Sequence, residues 1–284
     1  MSAPGAVRPF TRGLSIVILP FLVVASVLLY VLPFATEQLF AWTIEPPITA
    51  MFLASAYLGG IWFFVQAVRQ PLWHRVKYGF PPVVLFASLL GLATLLHIDR
   101  FHAGHISFLT WLTLYATTPF LTLAALLLNR PADDGAAEDP DFRIPRAPRL
   151  LLAVLGILSL GTGLVIFAVP QAGIDAWPWM LTPLTSRVIG AILTLPGMVN
   201  LWLLLDPRWS SFRWMFQAQL FSLVFLVAAL AIGGGALDWS RPSAPLLVGG
   251  LVSSLAAYAA FYAYCERGTR RAGAGLPRGP DARP

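Results

Sequence analysis

Eight apolar runs, each roughly 20 residues long, constrain the fold of this chain more than any other feature. They cover residues 14–34, 49–68, 79–97, 107–129, 150–169, 181–205, 212–234 and 245–264. A helix of this length crosses a hydrocarbon core of about 30 Å. Each run is apolar on all faces, and a soluble fold of this size has no interior that would cover them all. The sequence therefore predicts an all-α membrane protein with eight transmembrane helices.

The charged residues exclude other classes of protein. They make up 11% of the chain, whereas soluble proteins contain roughly 25%. The net charge of +6 does not indicate nucleic-acid binding, because the basic residues lie between the apolar runs and form no basic stripe with interleaved aromatic residues. The single cysteine, Cys265, excludes an intramolecular disulfide and a paired-cysteine redox site. The lipid bilayer is the predicted partner, and protein partners and oligomeric state stay open.

The basic residues predict the orientation of the chain, because they fall mainly on alternate connections. Basic residues are concentrated in the N-terminal segment, the second-to-third connection, the central linker, the sixth-to-seventh connection and the tail. These residues are Arg8, Arg12, Arg69, Arg75, Lys77, Arg130, Arg143, Arg146, Arg149, Arg208, Arg213, Arg267, Arg270, Arg271, Arg278 and Arg283. The other connections carry only Arg100 and Arg241. Loops rich in Lys and Arg stay in the cytoplasm. Both termini are therefore predicted to be cytoplasmic, which agrees with an even number of spans.

Two polar segments lie outside the predicted spans. Residues 131–148 form an acidic, proline-rich linker, and residues 266–284 form a basic tail rich in Arg, Gly and Pro. Segments of this composition bury too little apolar surface to offset the entropy of ordering. We expect the linker to be mobile and the tail to be disordered.

An internal repeat divides the spans into two groups of four. At a spacing of 137 residues, the first half matches the second in the pairs Pro33/Pro170, Trp42/Trp179, Pro46/Pro183 and Gly60/Gly197. With a shift of one residue, the positions Pro71, Trp73, Lys77, Tyr78 and Phe80 recur as Pro207, Trp209, Arg213, Trp214 and Phe216. The pattern predicts four-helix repeats over residues 1–130 and 149–265. Since each unit has an even number of spans, the repeats are parallel, related by an axis along the membrane normal.

The repeated prolines and tryptophans have a structural interpretation. Proline starts or kinks helices. Tryptophan prefers the level of the lipid headgroups. We therefore expect these residues to shape and anchor the helices.

The most concentrated polar group follows the third span. His97, Asp99, His102 and His105 fall within nine residues. Neutral imidazole and carboxylate at this spacing are compatible with a divalent metal site. They are equally compatible with proton transfer, since histidine titrates near neutrality. The third interpretation is an outer loop whose histidines form only local hydrogen bonds.

A second candidate group is centred on Arg187, near the start of the sixth span. A guanidinium inside a span needs a carboxylate, backbone carbonyls or a path to the headgroups. The acidic and histidine residues predicted on the same side are Glu37, Glu45, Asp99, Asp175 and His97. If several of them converge on Arg187, they form an outward-facing polar pocket between the repeats. Weaker candidates are the amides Gln66, Asn200, Gln217 and Gln219, which are typical of hydrogen bonds between helices.

Three stretches carry a resemblance to known sequences. Residues 95–102, 177–187 and 206–213 contain the patterns around His97, Trp179 and Trp209. They resemble uncharacterised multi-pass membrane proteins of high-G+C actinobacteria, whose Ala, Gly, Pro and Arg bias this chain shares. The resemblance implies a bacterial plasma membrane and no particular activity.

The functional hypothesis follows from these groups and from missing motifs. The sequence contains no phosphate-binding loop, nucleophile elbow, zinc-protease motif or dinucleotide fingerprint, so no nucleotide cofactor is expected. His97 at a helix end is poor support for haem. The leading hypothesis is a non-catalytic protein that binds or translocates a small polar solute or a proton through the outward-facing pocket. The alternatives are a metal-dependent membrane enzyme using His97, Asp99, His102 and His105, or an assembly subunit that docks through its Pro-x-Trp turns.

Overall fold

The computed structural model of the chain describes residues 5–133 and 135–274. These residues form helices and turns, with two isolated β-bridges and no longer strand. The helices are α1 (Pro9–Tyr30), α2 (Thr36–Leu39), α3 (Pro47–Arg69), α4 (Phe80–Leu96), α5 (Ile106–Asn129), α6 (Arg146–Ala168), α7 (Pro170–Ala176), α8 (Pro183–Trp202), α9 (Arg213–Gly233) and α10 (Ser243–Ala274). We call α1–α5 the first half, α6–α10 the second half, and the segment between α5 and α6 the linker.

Within the described residues, eight helices are long and apolar enough to cross a membrane. They are all the helices except the short α2 and α7. Their outer faces expose large apolar side chains, such as Val17 at 60%, Phe120 at 71% and Leu246 at 73%. Apolar faces of this extent are unfavourable in water and favourable against lipid tails. The predicted fold class, an all-α membrane protein with eight spans, is confirmed.

The ends of several helices differ from the sequence prediction. The first span ends at Tyr30 rather than at residue 34, and Pro33 begins a separate 3-10 turn. The helix α8 begins at Pro183 after Thr182, whose hydroxyl accepts a hydrogen bond from the backbone N–H of Thr185. Such a cap satisfies an N–H group that the first turn leaves without a partner.

The predicted boundary of the tail is wrong. The helix α10 continues to Ala274, nine residues into the segment that was expected to be disordered from residue 266. Contacts explain this continuation, because Glu266 pairs with Arg213 and the buried Cys265 packs in the core. Residues 275–284 lie outside the described residues.

The helices pair in the same way in both halves. The first long helix packs on the second in each half, as α1 on α3 and α6 on α8, and α4 packs on α5 as α9 packs on α10. Between the halves, α3 packs on α9 and α8 packs on α4. If the two halves are exchanged, each helix pair corresponds to another pair in this set. A two-fold relation between the halves produces this pattern. The central helices are therefore α3 and α8, and they are the most buried of the spans.

A short hydrogen-bonded segment precedes the first helix of each half and repeats in detail. The backbone N–H of Val7 donates to the Pro71 carbonyl at 2.9 Å, and that of Trp73 donates to the Gly5 carbonyl at 2.8 Å. The second half makes the matching bonds, Ile144 to Pro207 at 2.8 Å and Trp209 to Phe142 at 2.9 Å. Each Pro-x-Trp turn is thus fixed to the chain that enters its own half.

The repeated tryptophans are buried inside the protein, in the connections beside the long helices. Trp42, Trp73, Trp179 and Trp209 are at most 2% exposed. Trp73 packs against Phe80, with ring centroids 5.0 Å apart, and Trp209 packs against Phe216 at 5.6 Å. Each of these large rings fills the space between its turn and the following helix, and the buried ring contacts hold the two together.

Glycines allow the closest approaches between the central helices and their neighbours. A Cβ atom on Gly59 of α3 would lie 2.9 Å from the Ala218 carbonyl of α9 in the other half. On Gly197 of α8 it would lie 2.7 Å from the backbone nitrogen of Leu160 in α6. Small residues at such positions let helices pack closely inside a bilayer, where dispersion contacts replace the hydrophobic effect.

Candidate functional site

The two ends of the helix bundle differ in charge. We call the end that contains residues 5–8, 70–79, 130–133, 135–145, 203–212 and 266–274 the basic end, because these ranges contain nine Lys and Arg residues, whereas the opposite end contains Arg100 and Arg241. Hydrogen bonds such as Arg8 N–H to Asn129 Oδ1, at 2.9 Å, hold these segments together. The opposite end contains residues 31–46, 97–105, 169–182 and 234–242, and we call it the histidine end. There the backbone N–H of His102 donates to the Ala41 carbonyl at 2.9 Å.

The four residues of the predicted metal cluster make separate contacts. His102 lies between the Phe40 carbonyl and the Thr43 hydroxyl, at 3.0 and 3.2 Å. The ring of His105 bonds Ser107, as the cap of α5, and Asp99 pairs with its exposed neighbour Arg100. His97 faces Arg187 instead. In residues 5–133 and 135–274, no group of three His, Cys, Asp or Glu residues could hold a metal ion, so these four side chains do not form the predicted centre.

Arg187 contacts one member of the predicted polar pocket. Its Nη1 lies 2.5 Å from Nε2 of His97 across the boundary between the halves. Burial and the positive charge of Arg187 lower the pKa of His97. A lowered pKa favours the neutral imidazole, whose Nε2 lone pair accepts a hydrogen bond from the guanidinium N–H. The buried Nε of Arg187 has no hydrogen-bond partner among the described residues.

The predicted carboxylates do not reach Arg187 in the described part of the chain. Glu37 and Glu45 are exposed, and Asp175 accepts a hydrogen bond from Gln171 at 2.7 Å. Asp99 is held by Arg100 at 3.2 Å. All of them lie at the histidine end, as the sequence predicted, but at different places around it. Only Arg187 and His97 of the predicted outward-facing pocket come together.

At the basic end, the linker joins charges of both halves. Asp133 of the linker pairs with Arg208 of the second half at 2.9 Å and with Lys77 of the first half. Arg208 also pairs with Asp206 at 2.7 Å, and Asp206 accepts a hydrogen bond from the Tyr78 hydroxyl at 3.0 Å. We call these five residues the basic-end network. Its two cations balance its two carboxylates, and Arg208 is only 4% exposed.

The basic-end network shifts the pKa values of its carboxyl groups. Burial would raise the pKa of Asp206, but the ion pair with Arg208 outweighs it and holds the pKa at about 2. The pKa of Asp133 lies well below its usual range, because bonds from Arg208 and Lys77 outweigh its burial. Burial lowers and the two carboxylates raise the pKa of Arg208, with a net increase. Both carboxyl groups and Arg208 are therefore charged at neutral pH.

Other described residues of the linker also bond to the basic end. Glu138 accepts hydrogen bonds from His74 and from Arg75, at 2.5 and 2.6 Å. Asp141 accepts from the Ser210 hydroxyl at 2.7 Å. The acidic residues of the linker, which make it too polar to pack as a core, bond to side chains in the turns of the basic end.

An apolar chamber lies between the halves, bounded by α1, α3, α4, α5, α8 and α9. Its cavity volume is about 130 Å³, and it is not fully closed. Its walls are largely aromatic and aliphatic, and include Phe63, Phe86, Leu195 and Met215. Small-molecule sites have walls of this character, together with a few polar groups.

Two tyrosines supply the first polar group of the chamber. The hydroxyls of Tyr57 in α3 and Tyr115 in α5 lie 2.7 Å apart and form a hydrogen bond, and both side chains are buried. The sequence analysis missed this pair. A tyrosine in the middle of an apolar span signals a buried polar partner, since its hydroxyl cannot be left alone in hydrocarbon.

Gln219 supplies the second polar group. Its side chain lines the chamber, and both its amide nitrogen and its oxygen are buried with no hydrogen-bond partner among the described residues. By contrast, Gln217 on the same helix is satisfied, since it accepts from Trp62 Nε1 at 3.1 Å and donates to the Tyr262 hydroxyl at 2.5 Å. The two glutamines are two positions apart, yet only Gln219 is unpaired.

Comparison with protein-family models, with curated proteins and with solved structures gives no match to this chain.

Proposed function

We propose that this chain binds a small solute inside the membrane, in the chamber between its two halves, and does not convert it chemically. The observation that carries the proposal is the unpaired amide of Gln219 in the chamber wall. A buried amide without a partner costs about 1–3 kcal/mol. A ligand that supplies the missing hydrogen bonds removes this cost, and the free energy that is recovered adds to the affinity of the ligand.

The location of the chamber supports transport as the role. Membrane transporters built from two repeats hold their substrates near the middle of the bilayer, at the interface between the repeats. Ile18 of α1, Tyr57 of α3 and Tyr115 of α5 all line the chamber close to the middle of their helices. The site proposed here therefore lies deeper than the outward-facing pocket that the sequence suggested around Arg187.

The proposal includes a duplicated origin and an orientation. The matching helix pairs and the matching bonds of Val7 and Ile144 support two parallel four-helix repeats. The concentration of Lys and Arg at the basic end supports a cytoplasmic location for that end and for both termini. A bacterial plasma membrane is the location we propose, on the resemblance of residues 95–102, 177–187 and 206–213.

Cysteine labelling tests whether the chamber admits small molecules. On a Cys265→Ser background, Ser222→Cys places a thiol in the chamber wall, and Ser55→Cys places one in the packed part of α3. N-ethylmaleimide is neutral and crosses membranes. We expect it to label Ser222→Cys in intact cells, while Ser55→Cys stays unlabelled until the protein is denatured.

Two outcomes of the labelling would count against the proposal. If Ser222→Cys were as protected as Ser55→Cys, the chamber would be closed to solutes. If both were labelled equally, the reaction would report general loosening of the bundle and not a chamber.

A further inference from the structure

We infer that the solute of the chamber is an uncharged, largely apolar molecule with a carbonyl-type acceptor, bound by the Gln219 amide and by the free hydroxyl proton of the Tyr57–Tyr115 pair. This inference rests on the proposed binding function and names its ligand class. Three properties of the chamber carry it: its lack of charge, its excess of donors and its aromatic walls.

The lining excludes a charged ligand. Among the described residues, none of the side chains around the chamber is Asp, Glu, Lys, Arg or His. An ion that leaves water for such a site loses its hydration and finds no counter-charge, which costs several kcal/mol even after relaxation. The basic end shows the opposite design, since the pocket beside Arg75, Glu138 and Arg213 is lined by charges of both signs. The ligand of the chamber is therefore neutral.

The hydrogen-bonding groups of the chamber favour an acceptor on the ligand. The Gln219 amide has two N–H donors and one carbonyl oxygen, and none of them is satisfied among the described residues. Tyr57 and Tyr115 together have two hydroxyl protons, and the bond between them uses one. Three protons are thus available, and an unpaired buried donor is less well tolerated than a spare lone pair. A carbonyl oxygen, with two lone pairs and no proton, is the complement of such donors.

The aromatic walls favour a flat ring. Phe63, Phe64 and Phe86 line the chamber beside the two tyrosines. Aromatic side chains contact ring ligands through their faces and edges, and each such contact adds to the area that is buried. The cavity volume of about 130 Å³ is close to that of an engineered apolar cavity of roughly 150 Å³ that binds benzene, so the ligand contains about one ring.

Three probes of the same shape test the inference on the full chain in lipid nanodiscs. Acetophenone has one ring and one carbonyl, ethylbenzene lacks the carbonyl, and benzoate adds a charge. Equilibrium dialysis against empty nanodiscs measures specific binding. We expect acetophenone to bind about tenfold more tightly than ethylbenzene, the ratio that one to two net hydrogen bonds produce. The carboxylate should show no binding above empty nanodiscs.

Variants locate the preference for the carbonyl. Gln219→Leu, and the double variant Tyr57→Phe with Tyr115→Phe, should each reduce the ratio of acetophenone to ethylbenzene affinity. Gln217→Leu is the matched control, because Gln217 bonds Trp62 and Tyr262 and does not line the chamber. It should keep the full ratio.

The outcomes separate the ligand class from the proposed function. If wild-type protein binds ethylbenzene and acetophenone equally, or binds benzoate best, the ligand class is wrong and the binding function stands. If neither neutral probe binds above empty nanodiscs, the chamber does not bind such molecules, and the inference and the proposed function both fall. The comparison of probes on wild-type protein does not depend on the folding of any variant.

Discussion

The basic end and the chamber treat buried polar groups in opposite ways. At the basic end, Arg208 and Asp206 are at most 4% exposed, and each charge meets an opposite charge. In the chamber, the Gln219 amide is buried and unpaired among the described residues. Paired groups stabilise a structure, whereas an unpaired buried group calls for another partner, such as a ligand or a water molecule. On the proposed function, the first region stabilises the fold and the second binds the solute.

The largest expected effect tests the stabilising role of the basic-end network. Arg208→Ala leaves Asp133 and Asp206 buried without their main partner, and removal of one member of a buried ion pair typically costs about 3–5 kcal/mol. The free energy of unfolding, measured in detergent by denaturant titration, should fall by this amount. Arg100→Ala at the histidine end is the control, since its pair with Asp99 is exposed and such pairs contribute about 1 kcal/mol at most. Equal losses in the two variants would contradict the distinction.

The number and the type of the helices could be predicted from the sequence, because length and hydropathy alone decide which segments cross a bilayer. All eight spans are present in the described residues. The repeat of Gly60 and Gly197 indicated the second helix of each half, and the structure places α3 and α8 at the centre. These properties depend on local composition and on residue spacing, and both can be read from a single sequence.

The candidate site could not be predicted, because it depends on which helices become neighbours. His97 and Arg187 were assigned to the same end, yet nothing in the sequence said that Arg187 would reach His97 and miss Asp99. Tyr57 and Tyr115 lie 58 positions apart and meet only because α3 and α5 face the same chamber. Gln219 was named as a weaker candidate beside Gln217, and only packing distinguishes a satisfied amide from an unpaired one.

An intermediate loss of stability is expected at low pH, because acid protonates carboxyl groups at the basic end, whereas the described lining of the chamber contains none. Burial would raise the pKa of Glu138, but bonds from His74 and Arg75 hold it at about 2, and Asp206 also lies at about 2. A carboxyl whose folded pKa is depressed stabilises the protein above its ordinary pKa near 4, and this stability is lost as the pH falls toward 2. The thermal midpoint should therefore drop steadily below about pH 4.

Two Glu→Gln variants, which remove the same charge at different ends of the bundle, test whether the basic end causes this loss of stability. Glu138→Gln should lower the midpoint at neutral pH and flatten its decline in acid, because the titrating group is gone. Glu37→Gln changes an exposed carboxyl at the histidine end and should leave the whole profile unchanged. An identical acid profile in wild type and in Glu138→Gln would show that this linker contact does not stabilise the protein.

The smallest effect is expected in the chamber and has the opposite sign. Gln219→Leu replaces an unpaired buried amide by an apolar group, so the unfolding free energy in detergent should stay the same or rise by about 1 kcal/mol. Gln217→Leu should lower it by about 1–3 kcal/mol, because Trp62 Nε1 and the Tyr262 hydroxyl lose their partner. A clear loss of stability in Gln219→Leu would mean that this amide has a structural partner after all.

The most direct measurement is an electron cryo-microscopy map of the full chain, purified from its native membrane into lipid nanodiscs and bound to a rigid antibody fragment for alignment. The account predicts ordered density in the chamber, in contact with the Gln219 amide and with the hydroxyls of Tyr57 and Tyr115. A chamber without ordered density, or a Gln219 side chain hydrogen-bonded to another part of the protein, would contradict it.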